Sequence, residues 1–381
     1  MNYRKTQLAC FTAYVVQAIV NNLAPLLFIT FRRELGLSLG LIGLLATVNF
    51  SVQMAVDLLS AAFGDKLSYR PMMLAAHALT AAGLIGLSIF PRIMAPYAGI
   101  LLAVVLYAIG GGLLEVLVSP VLEALPLGDK ASAMSLLHSF YCWGQTGVVL
   151  LSTLFFRLAG TDNWSILPIL WAIVPLVNLC AFITAPLVRL EDNTPSMPRR
   201  DLLRRKEFWL FITLMFCAGA SEMGMSQWAS AFAEEGLGVS KTVGDLLGPC
   251  MFAVFMGSAR VFFGSKGERL NLKRFMTVCG ALCAFSYLLS ALSPLPFLAL
   301  VGCGVCGLAV GIMWPGTFSL AARILPAGGT AMFALLALGG DIGAVFGPTL
   351  VGVVGDMRLG LLLCTLFPAL LTVLSVKIKQ K

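Results

Sequence analysis

The chain has 381 residues, 59% apolar and only 12% charged, with a net charge of +8 and a mean hydropathy of +0.92. Soluble globular domains are about 45–50% apolar and about 25% charged, so this chain cannot cover a water-facing surface of ordinary size. A cytosolic enzyme, a disordered protein and a secreted disulfide scaffold are thereby excluded, and a polytopic membrane protein remains.

A membrane-spanning helix needs about 20 mostly apolar residues. In chain order, apolar runs of this length lie near 7–30, 40–62, 72–90, 97–122, 132–156, 164–187, 208–231, 243–263, 274–292, 296–322, 330–352 and 359–376. Runs this long exclude a barrel and predict an all-α fold of twelve transmembrane helices. The fourth and tenth runs are long and contain Pro120 and Pro315. The first run exceeds the 7–15 apolar residues of a secretory leader and no small-residue cleavage site follows, so it reads as a retained membrane helix.

The basic residues set the orientation. Of the 26 Lys and Arg, nineteen fall in the termini and loops on one side; Arg32, Arg33, Arg92, Arg157, Lys241 and Arg358 fall on the other, and Arg260 lies inside a helix. Both termini and the 188–207 loop are therefore expected to be cytoplasmic. Basic residues placed in short loops serve topology, so no nucleic-acid partner is implied. All ten cysteines sit in apolar runs. Cys303 and Cys306 lie beside Gly302, Gly304 and Gly307, which favours small packing residues over a metal or redox site. No metal or cofactor is expected.

The hydrophilic segment 188–207 divides the chain into a six-helix half at 1–187 and another at 208–381. The halves echo each other two hundred residues apart, at Gly64/Gly264, Lys66/Lys266, Gly111/Gly311, Ser119/Ser319, Leu125/Leu325 and Pro126/Pro326. No loop is long enough for a nucleotide-hydrolysing domain, and no Gly-x-x-x-x-Gly-Lys-Ser/Thr loop occurs.

Ionisable groups inside the membrane cost about 2.5–3.5 kcal/mol each on insertion scales, so they mark function by default. Glu115 has no basic residue within eleven positions on either side, and Ser119 follows on the same helix face. A carboxyl without a counter-charge on its own helix suits a proton carrier, and Glu222 and Asp341 are the alternatives. Glu123, near the cytoplasmic end, is expected to form a structural ion pair with Arg70 or Lys130. Arg260 is available to any buried acid. Helix five carries a polar stripe of His138, Tyr141 and Gln145. Helix seven places Gln227 and Trp228 after Glu222, an aromatic beside amides that suits a flat polar solute. Tyr14, Gln17 and Asn21 form a stripe on helix one, as Asn49, Gln53 and Asp57 do on helix two.

Twelve helices, two halves and a basic central loop resemble the major facilitator superfamily, whose halves surround a midplane site and rock against each other. The family carries Gly-x-x-x-Asp-Arg/Lys-x-Gly-x-Arg after helix two. Asp65, Lys66 and Arg70 match it, while Ala61 and Ser68 replace the glycines. A closer resemblance, to the fucose-permease branch of proton–sugar symporters, rests on GGGLLEVLVSP (110–120), MSLLHSFYCWGQ (134–145), Gly219-Ala220 before Glu222, and Asn21-Asn22-Leu23. Pro25 replaces an acid of that branch, which argues against fucose itself.

The resemblance implies a plasma-membrane secondary transporter that moves a small polar, sugar-like solute with protons, works by alternating access as a monomer in the bilayer, and is not an enzyme. Proton-coupling residues are then Glu115, Glu222 and Asp341. Substrate residues are Gln17, Asn21, Ser119, His138, Tyr141, Gln145, Gln227 and Trp228, and gating residues are Asp57, Asp65, Lys66 and Arg70. The rival within transport is an efflux antiporter. Such exporters carry Gly-x-x-x-Gly-Pro in helix five, whereas here it occurs only at Gly343–Pro348 in helix eleven.

Overall fold

A computed structural model of the chain describes residues 3–63, 68–126, 130–188, 199–266 and 271–378. Among the described residues, 12 helices are long and apolar enough to cross a membrane, and there is no strand. They are α1 (Arg4–Leu35), α2 (Leu39–Ser60), α3 (Tyr69–Ile93), α4 (Pro96–Ala124), α5 (Leu136–Ala159) and α6 (Ile166–Thr184). Then follow α7 (Lys206–Ser226), α8 (Lys241–Phe263), α9 (Leu272–Leu292), α10 (Pro296–Ile324), α11 (Met332–Val354) and α12 (Met357–Lys377). The chain forms two compact units, Met1–Glu191 and Asp192–Lys381, each containing six of these helices.

Local chemistry explains the departures from the sequence-based boundaries. The first helix continues to Leu35 instead of ending near residue 30, with a 3-10 turn at Ala24–Leu27. Pro25 lacks the N–H of a regular helical turn, and the tighter turn carries the chain past it. The seventh run does not remain one α-helix to residue 231. It turns at Gln227–Trp228, resumes at Ala229–Ala231 and ends in a π-helical turn, Phe232–Gly236. The fourth and tenth helices are both continuous: α4 passes through Pro120 and α10 through Pro315, each with another proline near its start.

Outward-facing positions are apolar at helical spacing, as Leu151, Leu154 and Leu158 on α5 show. Polar groups lie within: Gln17, Asn49, Gln53, His77, Gln145 and Asp245 are all buried. This inverts the pattern of a soluble protein and matches a hydrocarbon surround.

Small residues permit close helix contact. A side chain on Gly343 would run into the Phe216 carbonyl of α7, and one on Gly347 into that of Ala220. Glycine is therefore required along this α7–α11 seam. Cys303 and Cys306 play a similar part on α10, where Cys306 Sγ lies 3.7 Å from Cys283 Sγ of α9, and all ten cysteines are free. The packing role expected for the CxxC is what the structure contains.

His77 anchors the N-terminal half. Its Nδ1–H donates to the Met73 carbonyl at 2.7 Å, and its Nε2 accepts from Asn178 Nδ2 at 2.8 Å. Asn178 also donates to the Ala9 carbonyl at 3.0 Å, so one histidine–amide pair ties α3, α6 and α1 together.

Candidate functional site

In the N-terminal half, four helices bring their polar stripes onto one another. Gln17 Nε2 of α1 donates to Gln53 Oε1 of α2 at 2.8 Å and to Glu115 Oε2 of α4 at 3.1 Å. Gln53 Nε2 donates in turn to Asn21 Oδ1 at 2.9 Å, and Asn49 Nδ2 donates to the same oxygen at 3.1 Å. Asn21 Nδ2 then donates to the Tyr141 hydroxyl of α5 at 3.4 Å, with Asn22 Nδ2 at 3.5 Å from that oxygen. The helical spacings of α1 and α2 create this ladder, because residues three or four apart share a face.

A second contact set lies beside it. The Tyr14 and Ser119 hydroxyls are 2.9 Å apart, and the His138 ring meets the Tyr14 ring edge-on at 5.3 Å. Glu115 and His138 are exposed, Ser119 and Tyr141 half-buried, and Gln17 and Asn21 buried. The α5 stripe thus runs inward, from exposed His138 to Gln145 at 1% exposure. The arrangement offers hydroxyl, amide, imidazole and carboxylate groups together, able to donate to and accept from a polar solute.

The C-terminal half is built around a charge pair. Arg260 Nη2 of α8 lies 3.4 Å from both Glu222 carboxylate oxygens, and Glu222 is buried. Arg260 is thus paired with Glu222, a choice that the sequence left open. Asp341 is half-buried on α11.

Trp228 stands apart from its expected place. It is fully buried, and its indole N–H donates to the Pro348 carbonyl at 3.0 Å, so in this conformation it joins α7 to α11 and presents no face to a solute. Gln227 beside it is also buried.

Of the expected gating residues, Asp65 and Lys66 lie outside the described residues. Asp57 is half-buried on α2. Arg70 donates to the Phe182, Ile183 and Ala185 carbonyls at the end of α6, at 2.7, 2.5 and 2.8 Å. A cation there answers the unpaired carbonyls and negative dipole of a helix C-terminus.

Sequence reasoning missed one polar cluster. Asp245 is completely buried at the start of α8, receives the Ser230 hydroxyl at 2.5 Å and pairs with Lys241 Nζ at 3.2 Å. Lys241 and Asp245 are one helical turn apart, which was the available signal. Gln53 and Asn49 were seen as a stripe, yet their central place in the ladder was not.

Apolar-faced helices enclosing hydrogen-bonded amides and carboxylates define a polytopic membrane protein with polar chemistry inside it. A family model of the Major Facilitator Superfamily matches residues 8–348. The chain belongs to the major facilitator superfamily and is a membrane transporter. Its fold is similar to that of a nucleoside transporter, NupG, with a TM-score of 0.79 and 12% identity over 99% of this chain and 100% of that one. It is also similar to a D-xylose–proton symporter (TM-score 0.78, 14% identity, 99% and 97% covered). The E. coli fucose:proton symporter FucP gives 0.68 and 16% identity, with both chains covered at 100%. No curated protein matches the amino-acid sequence by itself.

Proposed function

We propose that this transporter moves a small polar solute, sugar-like in its hydroxyl content, together with protons. Alternating access of a monomer in the plasma membrane, with both termini cytoplasmic, carries it across. The observation behind this reading is the α1–α2–α4–α5 ladder, in which hydroxyls and amides lead to an exposed carboxylate, Glu115. A solute rich in hydroxyls exchanges hydrogen bonds with such groups at little loss, whereas an apolar drug leaves them unpaired at about 1–3 kcal/mol each. Glu115 is the proton carrier, with Glu222 and Asp341 as alternatives. His138, Tyr141, Ser119, Gln17 and Asn21 bind the solute in the N-terminal half, and Gln145 and Gln227 are further substrate positions, whereas Trp228, held on Pro348, belongs to the scaffold. Asp57, Asp65, Lys66 and Arg70 gate the cytoplasmic side.

The efflux alternative rests on Gly343–Pro348, and the packing of Gly343 and Gly347 against α7 accounts for those glycines without it. The test is a panel of monosaccharides, nucleosides and hydrophobic cations, scored by thermal shift on purified protein at two pH values. Stabilisation by a hydroxyl-rich solute, followed by its uptake with protons into vesicles, supports the reading. Stabilisation by the hydrophobic cations alone overturns it.

A further inference from the structure

We infer that the ladder from Glu115 to Tyr141 is a reversible hydrogen-bond relay, and that the proton on Glu115 sets its direction. The inference rests on the reading of Glu115 as the proton carrier and adds what its proton does. As the structure stands, donation runs from Gln17 to Glu115 and Gln53, from Gln53 to Asn21, and from Asn21 to Tyr141. A carboxylate accepts only, so this direction fits ionised Glu115.

A half-turn of a side-chain amide exchanges its oxygen and nitrogen without moving the backbone. Turning Gln17, Gln53, Asn21 and Asn49 together reverses every side-chain contact of the ladder at its present distance and gives up the weak Gln53 bond to the Asn49 backbone carbonyl. The protonated Glu115 hydroxyl then donates to Gln17 Oε1, and Gln53 donates to that same oxygen. Asn21 Nδ2 donates to Gln53 and to Asn49, and the Tyr141 hydroxyl donates to Asn21 Oδ1. The proton stays on Glu115 throughout, and only orientations change.

Two buried oxygens permit the reversal. Gln17 Oε1 and Asn49 Oδ1 are buried and have no hydrogen-bond partner, so turning those amides breaks nothing at their outer atoms. A weak bond from Gln53 Nε2 to the Asn49 carbonyl, at 3.4 Å, favours the present direction. The ionisable groups on the helices packed around α4 are Arg4, Lys5, Cys10, Tyr14, Arg32, Arg33 and Glu34 on α1, Asp57 on α2, Tyr69, Arg70, His77 and Arg92 on α3, and His138, Tyr141, Cys142 and Arg157 on α5, with Tyr97 and Tyr107 earlier on α4. Glu123 lies further along α4 itself. Arg70 is engaged by the end of α6 and His77 by Met73 and Asn178, while Gln17 donates directly to the Glu115 carboxylate.

The consequence reaches the solute. With Glu115 ionised, Tyr141 accepts from Asn21 and its hydroxyl hydrogen points away from that amide. With Glu115 protonated, that hydrogen goes to Asn21 and Tyr141 offers a lone pair. Gln53 and Asn49 are therefore positioning residues for coupling.

The experiment is infrared difference spectroscopy of the full chain in lipid, between acidic and alkaline buffer, with asparagine side-chain amides labelled by 15N. Wild type is expected to show a protonated carboxyl band that Glu115→Gln removes, and labelled asparagine bands changing at the same midpoint. In Gln53→Met the carboxyl band is expected to remain while the asparagine component is lost. Gln17→Met breaks the first link and gives the same loss should Gln53→Met fail to fold. Asparagine bands of unchanged amplitude in both variants, or a Glu115 band unaccompanied by them in wild type, overturn the relay. Absence of the carboxyl band in wild type overturns the proton-carrier reading as well. Intact coupled bands in a protein lacking proton-driven uptake overturn symport alone and leave the relay standing.

Discussion

Arg260 on α8 and Glu222 on α7, 38 positions apart, form an ion pair at 3.4 Å inside the C-terminal half. Glu222 is 6% exposed by its side chain and Arg260 19%, so each charge is held where water gives it little help. The pair therefore matters chiefly through what either partner would suffer alone.

Removing one partner is expected to be more damaging than removing both. Glu222→Gln or Arg260→Met should lower stability by about 3–5 kcal/mol, because an uncompensated charge stays buried. The double variant should recover much of that loss. Thermal unfolding of the purified variants measures this, and strictly additive losses would show that the two residues are not coupled.

Arg70 gives a second prediction. Its bonds to three carbonyls at the end of α6 make it a structural cap within its own half, whatever gating it also performs. Arg70→Ala should lower thermal stability by about 1–3 kcal/mol, as the carbonyls lose a charged donor. Arg70→Lys should recover only part, since one ammonium cannot match the planar fork. Unchanged stability in Arg70→Ala would mean that water replaces the guanidinium without loss.

The outline of the fold was legible because hydrophobicity in long runs has few physical outcomes in a bilayer. The stripes were legible too, since Gln17 and Asn21, or Asn49 and Gln53, share a face by spacing alone. Their partners were not. Glu115 meets Gln17 across 98 positions, and His77 meets Asn178 across 101, contacts that only helix packing determines. Trp228 misled because an aromatic beside two polar residues looks like a binding face. The turn at Gln227–Trp228 rotates it onto Pro348 instead. Asp245 was overlooked because it stands at the very start of the eighth apolar run, one turn after Lys241.

On the proposed reading, His138 belongs to the solute site and Trp228 to the scaffold. His138 is exposed, so His138→Ala should weaken solute binding by about 1–3 kcal/mol while leaving stability nearly unchanged. Trp228→Phe removes the N–H that reaches Pro348 and should lower stability by about 1 kcal/mol, with affinity unaltered. Titration calorimetry and thermal unfolding on the same preparations read both quantities. The opposite pattern would return Trp228 to the solute site and remove His138 from it.

Orientation follows from charge and is open to direct proteolysis. The segment 188–207 contains Arg189, Arg199, Arg200, Arg204, Arg205 and Lys206, which favour the cytoplasmic side. A protease added outside sealed, right-side-out vesicles should leave this segment intact and cut it once the vesicles are opened. Cleavage from outside would reverse the orientation and with it the side at which Arg70 stands.

Coupling gives the last prediction. Glu115 is held by Gln17, and Leu113, Leu114, Val116, Leu117 and Val118 surround it in the chain, so a change in its charge is poorly compensated locally. Glu115→Gln keeps the shape and one carbonyl oxygen for Gln17 Nε2 while removing the titrating group. Solute binding and solute exchange across the membrane are therefore expected to survive. Concentrative uptake driven by a pH gradient is expected to fall by at least tenfold, because the carrier no longer gains or loses a proton with each cycle. Counterflow and proton-driven uptake, measured in the same vesicles, separate the two activities. Normal accumulation by Glu115→Gln would move the coupling role to Asp341 or Glu222. Of these, Glu222 is held by Arg260, so a proton arriving there would have to displace an ion pair that Glu115 does not have with Gln17.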